Sequence, residues 1–232
     1  MAIKICLDAG HYGKYNQSPA VKTYYESEMT WKLTNLLKAE LIAYGFEVTL
    51  TRSNQAKDLA VYERGKLSKG CNLFLSIHSN AVGSAVNENT DYPAVAVQLD
   101  GKGDKLGQQL ADIIHKTMGT KQPGKIFTRR GNSGEYYGVL RGAADVGTMG
   151  MILEHSFHTC TAAAKWLSSD ANLKKMAVAE AQVIADYYGV KKTTTAGKLY
   201  RVQVGAYSVK ANADAMLQKL KAAGFDGYIT ST

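Results

Sequence analysis

Three features that this 232-residue chain lacks exclude several classes of protein. It contains only three cysteines, Cys6, Cys71 and Cys160, and an odd number argues against a disulfide framework. No apolar run is long enough to cross a bilayer, and Met1 is followed almost at once by a strand-like segment rather than by a secretory leader. We therefore expect no membrane span and, because Cys6 and Cys71 lie at or beside predicted strands, buried free thiols.

A glycine-rich phosphate loop is also missing after the first predicted strand, which argues against a nucleotide-binding protein. What is present is 45% hydrophobic content, enough for the core of one α/β domain and a small appendage. Periodicity predicts a twisted, mostly parallel sheet of about six strands with helices on both faces. The segments with strand character are 3–9, 46–51, 72–80, 94–99 and 150–154, and those with helical character are 26–44, 58–69, 104–118, 161–167 and 171–188.

Two of the predicted strands end in a histidine. The run from Ile3 to Ala9 reaches Gly10 and His11, and the run from Asn72 to Ile77 reaches His78. If the two strands are neighbours in a parallel sheet, their ends lie about 5–10 Å apart, so both imidazoles would reach one zinc ion with bonds of about 2.0–2.1 Å. The pattern favours a zinc site at the carboxyl edge of the sheet and requires a third ligand.

Acidic residues near the same edge are candidates for catalytic or metal-binding roles. Glu154 closes an apolar strand, where an unpaired charge is costly, so it should be paired or functional. His155 and His158 follow it and remain alternative metal ligands, although His155 alternates to the opposite side of the strand. Glu26 and Glu28 both lie in the first turn of a helix, where a carboxylate also complements the helix dipole.

The four motifs occur in a recognisable order: Asp-Ala-Gly-His at 8–11, Glu26, Ser-Ile-His-Ser-Asn at 76–80 and Glu-His-Ser-Phe at 154–157. Residues 1–190 thereby resemble the zinc-dependent N-acetylmuramoyl-L-alanine amidases of the type-3 family. The resemblance implies a Zn²⁺ site of His11, Glu26 and His78, with Glu154 as the catalytic acid and base. It places Glu26, rather than Glu28, on the metal-binding glutamate.

The implied reaction is hydrolysis of the amide bond between the lactyl group of N-acetylmuramic acid and L-alanine of the peptidoglycan stem peptide. A zinc peptidase that cuts within the stem peptide remains an alternative, as does a non-catalytic cell-wall-binding protein. Three polar loops, at 12–25, 81–93 and 123–138, are candidates to contact the substrate.

The last residues form a separate region by composition. Residues 191–198 are typical of a linker, and residues 199–232 predict a β-α-β unit whose Val-Gln-Val-Gly-Ala-Tyr opening resembles half of a sporulation-related (SPOR) repeat. Either the module is truncated, or two chains would complete one module by pairing their halves, as a homodimer.

The distribution of charge suggests a partner. The net charge is +8, and seven basic against two acidic residues after position 190 place +5 of it in the last 42 residues. A basic surface suits nucleic acid or an anionic wall, and without a nucleic-acid motif we expect peptidoglycan. Without a leader, the chain would be made in the host cytoplasm and reach the wall after release, as a phage endolysin does; a bacterial autolysin whose leader has been removed fits equally.

Overall fold

The computed structural model describes residues 2–132, 134–192, 203–223, 225 and 227–230. It divides into two compact units, Met1–Thr193 and Thr194–Thr232. The strands are β1 (Lys4–Ala9), β2 (Glu47–Leu50), β3 (Leu73–Asn80), β4 (Ala94–Val97), β5 (Lys125–Phe127), β6 (Arg130–Gly131), β7 (Gly134–Glu135) and β8 (Met149–Phe157). The helices are α1 (Glu26–Ala43), α2 (Val61–Lys66), α3 (Asp104–Met118), α4 (Gly138–Asp145), α5 (Thr161–Leu167), α6 (Asp170–Tyr187) and α7 (Lys210–Ala222).

The first unit is built on a six-stranded sheet with the order β2-β1-β3-β8-β4-β5. Neighbouring strands are parallel except β4, which runs antiparallel to β8. The mostly parallel sheet of about six strands predicted from the sequence is therefore confirmed. Because β1, β3 and β8 are parallel neighbours, their carboxyl ends meet at one edge, where open α/β sheets place ligands.

Helices cover both faces of the sheet, as predicted. Buried side chains of α1, α3 and α6 pack on one face, in a cluster that includes Leu33, Leu37, Leu41, Leu110, Ile114 and Ile184. A smaller cluster on the other face joins α4 to the strands and contains Cys6, Phe74, Ala96, Val139, Leu140, Ala143 and Ile152. Burial on both faces explains why the central strands are apolar runs rather than alternating ones.

The region 123–138, predicted as a polar loop, holds more structure than its sequence indicated. It contains β5 and the β6–β7 hairpin, and α4 begins at Gly138. A three-residue strand such as β5 is too short to show periodicity, and it exists because β4 supplies its hydrogen bonds. The helix predicted over 58–69 is shorter, at Val61–Lys66.

In the second unit, α7 lies within the segment predicted as β-α-β. The described residues 203–209 and 227–230 form no strand, and 199–202 lie outside the described residues. The helix buries none of its side chains. A strand needs a hydrogen-bonded neighbour and an apolar layer to cover it, which explains why this prediction from the local pattern was wrong for the described flanks.

The cysteines are free thiols, with Cys6 and Cys160 buried and Cys71 half-buried. Burial raises the pKa of the Cys6 thiol to about 12, so this thiol stays protonated and packs as a small apolar group. Within the described ranges, no helix combines the length and apolar character that crossing a bilayer requires.

Helices α2 and α4 cross at close range because each has a glycine at the contact. A Cβ atom on Gly65 would lie 2.0 Å from the carbonyl oxygen of Val139, and one on Gly142 would lie 2.1 Å from that of Tyr62. This crossing holds Arg64 of α2 under the end of β1, where its Nη1 lies 3.4 Å from the carbonyl oxygen of Ala9.

We expect Gly142→Ala to lower the free energy of unfolding by about 1–3 kcal/mol, because the added methyl group overpacks against backbone atoms. In an open helix, the same change stabilises by about 0.5–1 kcal/mol, so the sign of the effect is informative. Denaturant unfolding measures it, with Ala144→Ser on the exposed side of α4 as the control. A Gly142→Ala protein more stable than the wild type would contradict the close crossing.

Candidate metal centre

The end of β1 turns sharply at Gly10 and presents His11 at the sheet edge. The amide of Gly10 donates to the carbonyl oxygen of Ile77 at 3.0 Å, which extends the pairing with β3. A Cβ atom on Gly10 would lie 2.3 Å from Cε1 of His78, so only glycine leaves room for that ring. His11 adopts a φ of 56°, a strained backbone conformation that occurs preferentially at functional sites.

Two buried arginines fix the carbonyl group that precedes this turn. Nη2 of Arg52 donates to the carbonyl oxygen of Ala9 at 2.8 Å, and Arg64 approaches the same oxygen from α2. The adjacent Asp8 is fully buried and accepts a hydrogen bond of 2.6 Å from the hydroxyl of Thr51. Thr51 and Arg52 thus hold the end of β1 in place through Asp8 and the carbonyl group of Ala9.

Glu26 opens α1 and is almost completely buried. Its Oε1 lies 2.9 Å from Nδ1 of His78 and accepts a hydrogen bond of 3.1 Å from the amide of Ser79. Its Oε2 lies 3.3 Å from Nε2 of His11 and accepts from the Asn16 amide group at 2.7 Å. Burial alone would raise the pKa of Glu26, but the hydrogen bonds with the two histidines outweigh it and hold the pKa well below its ordinary value.

The side chains of His11, Glu26 and His78 form a compact group that is able to hold a metal ion. One ligand atom from each lies within 4.8 Å of the others. Two atoms bound to one tetrahedral zinc at about 2.0–2.2 Å lie about 3.3–3.6 Å apart. The 3.3 Å between Oε2 of Glu26 and Nε2 of His11 has this spacing, whereas the 2.9 Å between Oε1 and Nδ1 of His78 is a hydrogen-bond distance. Glu28, two residues further into the helix, is not in this group.

Glu154 of β8 faces the same site. It is the register partner of His78 across the sheet, it is half-buried, and its Oε2 is buried with no hydrogen-bond partner in the described part of the chain. Burial raises the pKa of Glu154 to about 7, although the nearby His78 opposes the shift. A carboxyl group with a pKa near neutrality is suited to both accept and donate a proton.

His155 does not join the metal group. Its ring is fully buried on the opposite side of β8, as the alternation of the strand predicts, with Nε2 2.6 Å from Oε1 of Glu180. Its Nδ1 lies 3.0 Å from the carbonyl oxygen of His78. Glu180 of α6 was not singled out from the sequence, because a glutamate within a helix carries no local sign of burial.

His158 is likewise outside the metal group and belongs to a hydrogen-bonded network beside it. Its Nδ1 lies 2.9 Å from Oγ of Ser79, which in turn lies 2.6 Å from the hydroxyl of Tyr24. Ser18 donates to the carbonyl oxygen of His158 at 2.6 Å. These contacts tie the loop at 12–25 to the ends of β3 and β8, and burial lowers the pKa of His158.

Sequence reasoning also missed Asn16, which contacts both sides of the group. Its amide nitrogen lies 3.1 Å from Nε2 of His11 as well as 2.7 Å from Glu26. Asn16 sits in a polar loop, where one asparagine among several gives no signal of its role. Whether the loops at 12–25, 81–93 and 123–138 contact substrate stays a prediction.

The buried pair of His155 and Glu180 gives a stability prediction. Removing one partner leaves a buried charge uncompensated, so Glu180→Leu and His155→Leu should each cost about 3–5 kcal/mol, whereas the double variant should cost less than their sum. Urea unfolding of the wild type, the single variants and the double variant measures this. Strictly additive losses would show that the two side chains do not interact.

Two family models match the sequence. Residues 5–186 match the N-acetylmuramoyl-L-alanine amidase family, and residues 167–231 match the SPOR domain. Both resemblances predicted from the motifs are therefore confirmed. The domain boundaries at 190 and 199 stay predictions.

The relatives agree with these matches. The chain is 28% identical over 230 residues to the N-acetylmuramoyl-L-alanine amidase CwlM of Bacillus licheniformis, covering 98% of this chain and 84% of the relative. It is 26% identical, with the same coverage, to a sporulation-specific N-acetylmuramoyl-L-alanine amidase of Bacillus subtilis (strain 168).

The fold is similar to that of the catalytic domain of the amidase CwlV from Bacillus (Paenibacillus) polymyxa var. colistinus. The TM-score is 0.65 at 22% identity, and the alignment covers 82% of this chain and 99% of CwlV. Since the amidase model alone spans most of the sequence, from residue 5 to residue 186, this chain belongs to the N-acetylmuramoyl-L-alanine amidase family.

Proposed function

We propose that this amidase is zinc-dependent and cleaves the bond between the lactyl group of N-acetylmuramic acid and L-alanine of the stem peptide. The observation that carries the proposal is the juxtaposition of His11, Glu26 and His78, whose ligand atoms lie within 4.8 Å of one another. The half-buried Glu154 stands beside them on the next strand. Two imidazoles and one carboxylate form the ligand set of a catalytic zinc site. Glu154 adds an acid that does not belong to that set.

In this proposal His11, Glu26 and His78 would hold the ion. When bound, zinc supplies a water molecule with a pKa near 7 and polarises the scissile carbonyl group. Glu26 supplies the anionic oxygen of a ligand set made of two histidines and one carboxylate. Asn16 and the amide of Ser79 each donate a hydrogen bond to one oxygen of that carboxylate and orient it.

Glu154 moves the proton in this reaction. Its carboxylate takes a proton from the attacking water as the oxygen bonds to the lactyl carbonyl carbon. The carbon–nitrogen bond then breaks, and the protonated Glu154 delivers the proton to the nitrogen of L-alanine. The products are a muramic lactate and a stem peptide with a free amino terminus. A pKa of about 7 makes both halves of this transfer feasible at neutral pH.

The C-terminal part would deliver the enzyme to its substrate. SPOR-type modules bind peptidoglycan, and the excess of basic residues after position 190 favours an anionic wall. Cleavage of many such bonds would lyse the wall, which is the role of a phage endolysin or a bacterial autolysin. Pairing of two C-terminal halves in a homodimer stays a prediction, which sedimentation of the purified chain would test.

A zinc peptidase that cuts within the stem peptide is the competing proposal, because the same metal site and acid serve any amide bond. The products separate the two reactions. An amidase releases the intact stem peptide with L-alanine at its amino terminus, whereas a peptidase leaves L-alanine on the muramic acid. Mass spectrometry of digested peptidoglycan distinguishes them.

We expect Glu154→Gln to retain stoichiometric zinc and to lose about 10²–10⁴-fold in turnover, the usual contribution of a general acid and base. His78→Ala should lose both zinc and turnover, because it removes a ligand. Elemental analysis and peptidoglycan digestion measure these effects, with the exposed Glu47→Gln of β2 as the control. A Glu154→Gln protein that digests walls at the wild-type rate would remove Glu154 from this role.

A second pair of variants tests whether Glu26 or Glu28 is the metal ligand. Glu26→Gln should bind zinc much more weakly, since a neutral amide is a poor ligand, whereas Glu28→Gln should bind it as the wild type does. Titration of the apoprotein with zinc against a competing chelator gives both affinities. Equal losses in the two variants would assign the effect to the helix end rather than to a ligand.

A further inference from the structure

Lys125, the first residue of β5, lies on the same face of the sheet as the catalytic residues. The strand register links His78 to Glu154, Glu154 to Ala94 and Ala94 to Lys125. Register partners on neighbouring strands point to the same face. Phe127, two residues further along β5, packs against the cluster on that face, which confirms the orientation. The four positions therefore form a row across the sheet, with the candidate metal centre at one end.

The interval between Glu154 and Lys125 is short. Two strand spacings of about 4.8 Å separate their Cα atoms, and the position between them is Ala94, a small and almost completely buried residue. An extended peptide advances about 3.3–3.6 Å per residue, so two or three residues span the interval. A peptide that leaves Glu154 along this row would therefore run over the surface above Ala94 and reach the exposed lysine.

The ammonium group of Lys125 is held in place yet keeps its charge exposed. Nζ lies 4.3 Å from the centre of the Tyr92 ring, and that ring packs edge to face against Phe157 at 4.9 Å. A cation over an aromatic face is attracted to it without being neutralised. Lys125 is solvent-exposed and forms no salt bridge with any residue that the structure describes.

The proposed chemistry sets the direction of the substrate along this row. The lactyl carbonyl group must lie at His11, Glu26 and His78, whereas the leaving nitrogen must lie within reach of Glu154, which protonates it. The peptide after that nitrogen then continues past Ala94 towards Lys125. The glycan side of the scissile bond lies in the opposite direction.

We propose that Lys125 binds a carboxylate group of the stem peptide, two or three residues beyond the scissile bond, and makes the enzyme selective for stems in which that group is free. The inference rests on the proposed function. Two groups have this chemistry: the α-carboxylate of a D-isoglutamate at the second position, and the side-chain carboxylate of a diaminopimelate at the third. Amidation of the recognised carboxylate removes its charge and with it the ion pair.

The test uses the full chain and four synthetic muramyl tetrapeptides, with D-isoglutamate free or amidated and with L-lysine or meso-diaminopimelate at the third position. Lys125→Met should lower kcat/KM about tenfold, mainly through KM, on substrates with the recognised carboxylate, the size expected for one charge-assisted hydrogen bond. It should not change cleavage of substrates that lack it. Lys125→Arg should restore most of the loss, because it keeps the charge.

Lys105→Met on α3 is the matched control, since it removes one exposed positive charge from another element. An equal loss with Lys105→Met, or the same loss on all four substrates, would overturn the inference. A loss confined to one carboxylate identifies which of the two groups is bound.

Calorimetric binding of the same peptides to Glu154→Gln, with and without Lys125→Met, separates this inference from the reaction itself. If the wild type cleaves none of the peptides but Lys125→Met weakens binding only of those with a free carboxylate, the proposed function fails and the lysine site stands. If cleavage occurs and Lys125→Met changes neither KM nor binding, the lysine site fails and the function stands.

Discussion

The buried carboxylate of Glu26 is the group on which the site depends. Placing a carboxylate out of reach of water is costly unless hydrogen bonds compensate for the lost hydration. Here the compensation comes from two parts of the chain: His11 and Asn16 in the segment after β1, and His78 with the Ser79 amide near the end of β3. Each contact that stabilises the charge also fixes a potential metal ligand, so the same interactions that make Glu26 tolerable in the core assemble the group.

Strand β8 shows how one element serves both chemistry and stability. Glu154 and His155 are adjacent in sequence but point to opposite faces of the sheet. Glu154 faces the site, where its Oε2 has no hydrogen-bond partner in the described chain and burial raises its pKa. His155 faces the helices and is satisfied by Glu180. Glu154 is thus free for the proton transfer proposed above, whereas His155 anchors the strand to α6.

The antiparallel strand β4 decides which residues lie next to Glu154 at the edge of the sheet. Because β4 runs against β8, its first residue, Ala94, lies opposite Glu154 at the carboxyl end of β8. The parallel strand β5 then also begins at that edge, with Lys125. A fully parallel sheet would place the carboxyl ends of these two strands there instead. One reversal of direction therefore sets a small residue and then a cation in line with Glu154, the proposed catalytic acid.

The features that could be predicted from the sequence are those set by residues close together in the chain. The apolar runs, the helix periodicity, and the glycines and histidines at strand ends are local patterns, and they predicted the sheet, the edge that carries the site, and His11, His78 and Glu154 as its candidates. The choice of Glu26 over Glu28 needed the family resemblance, because both residues suit a helix start. Asn16 contacts Glu26, 10 residues along the chain, and Glu180 contacts His155, 25 residues away. Lys125 lies two strands from Glu154 in the sheet. Only the tertiary structure brings such partners together. A local pattern encodes the direction in which a side chain points along its own strand or helix; the neighbour that it meets is decided by packing.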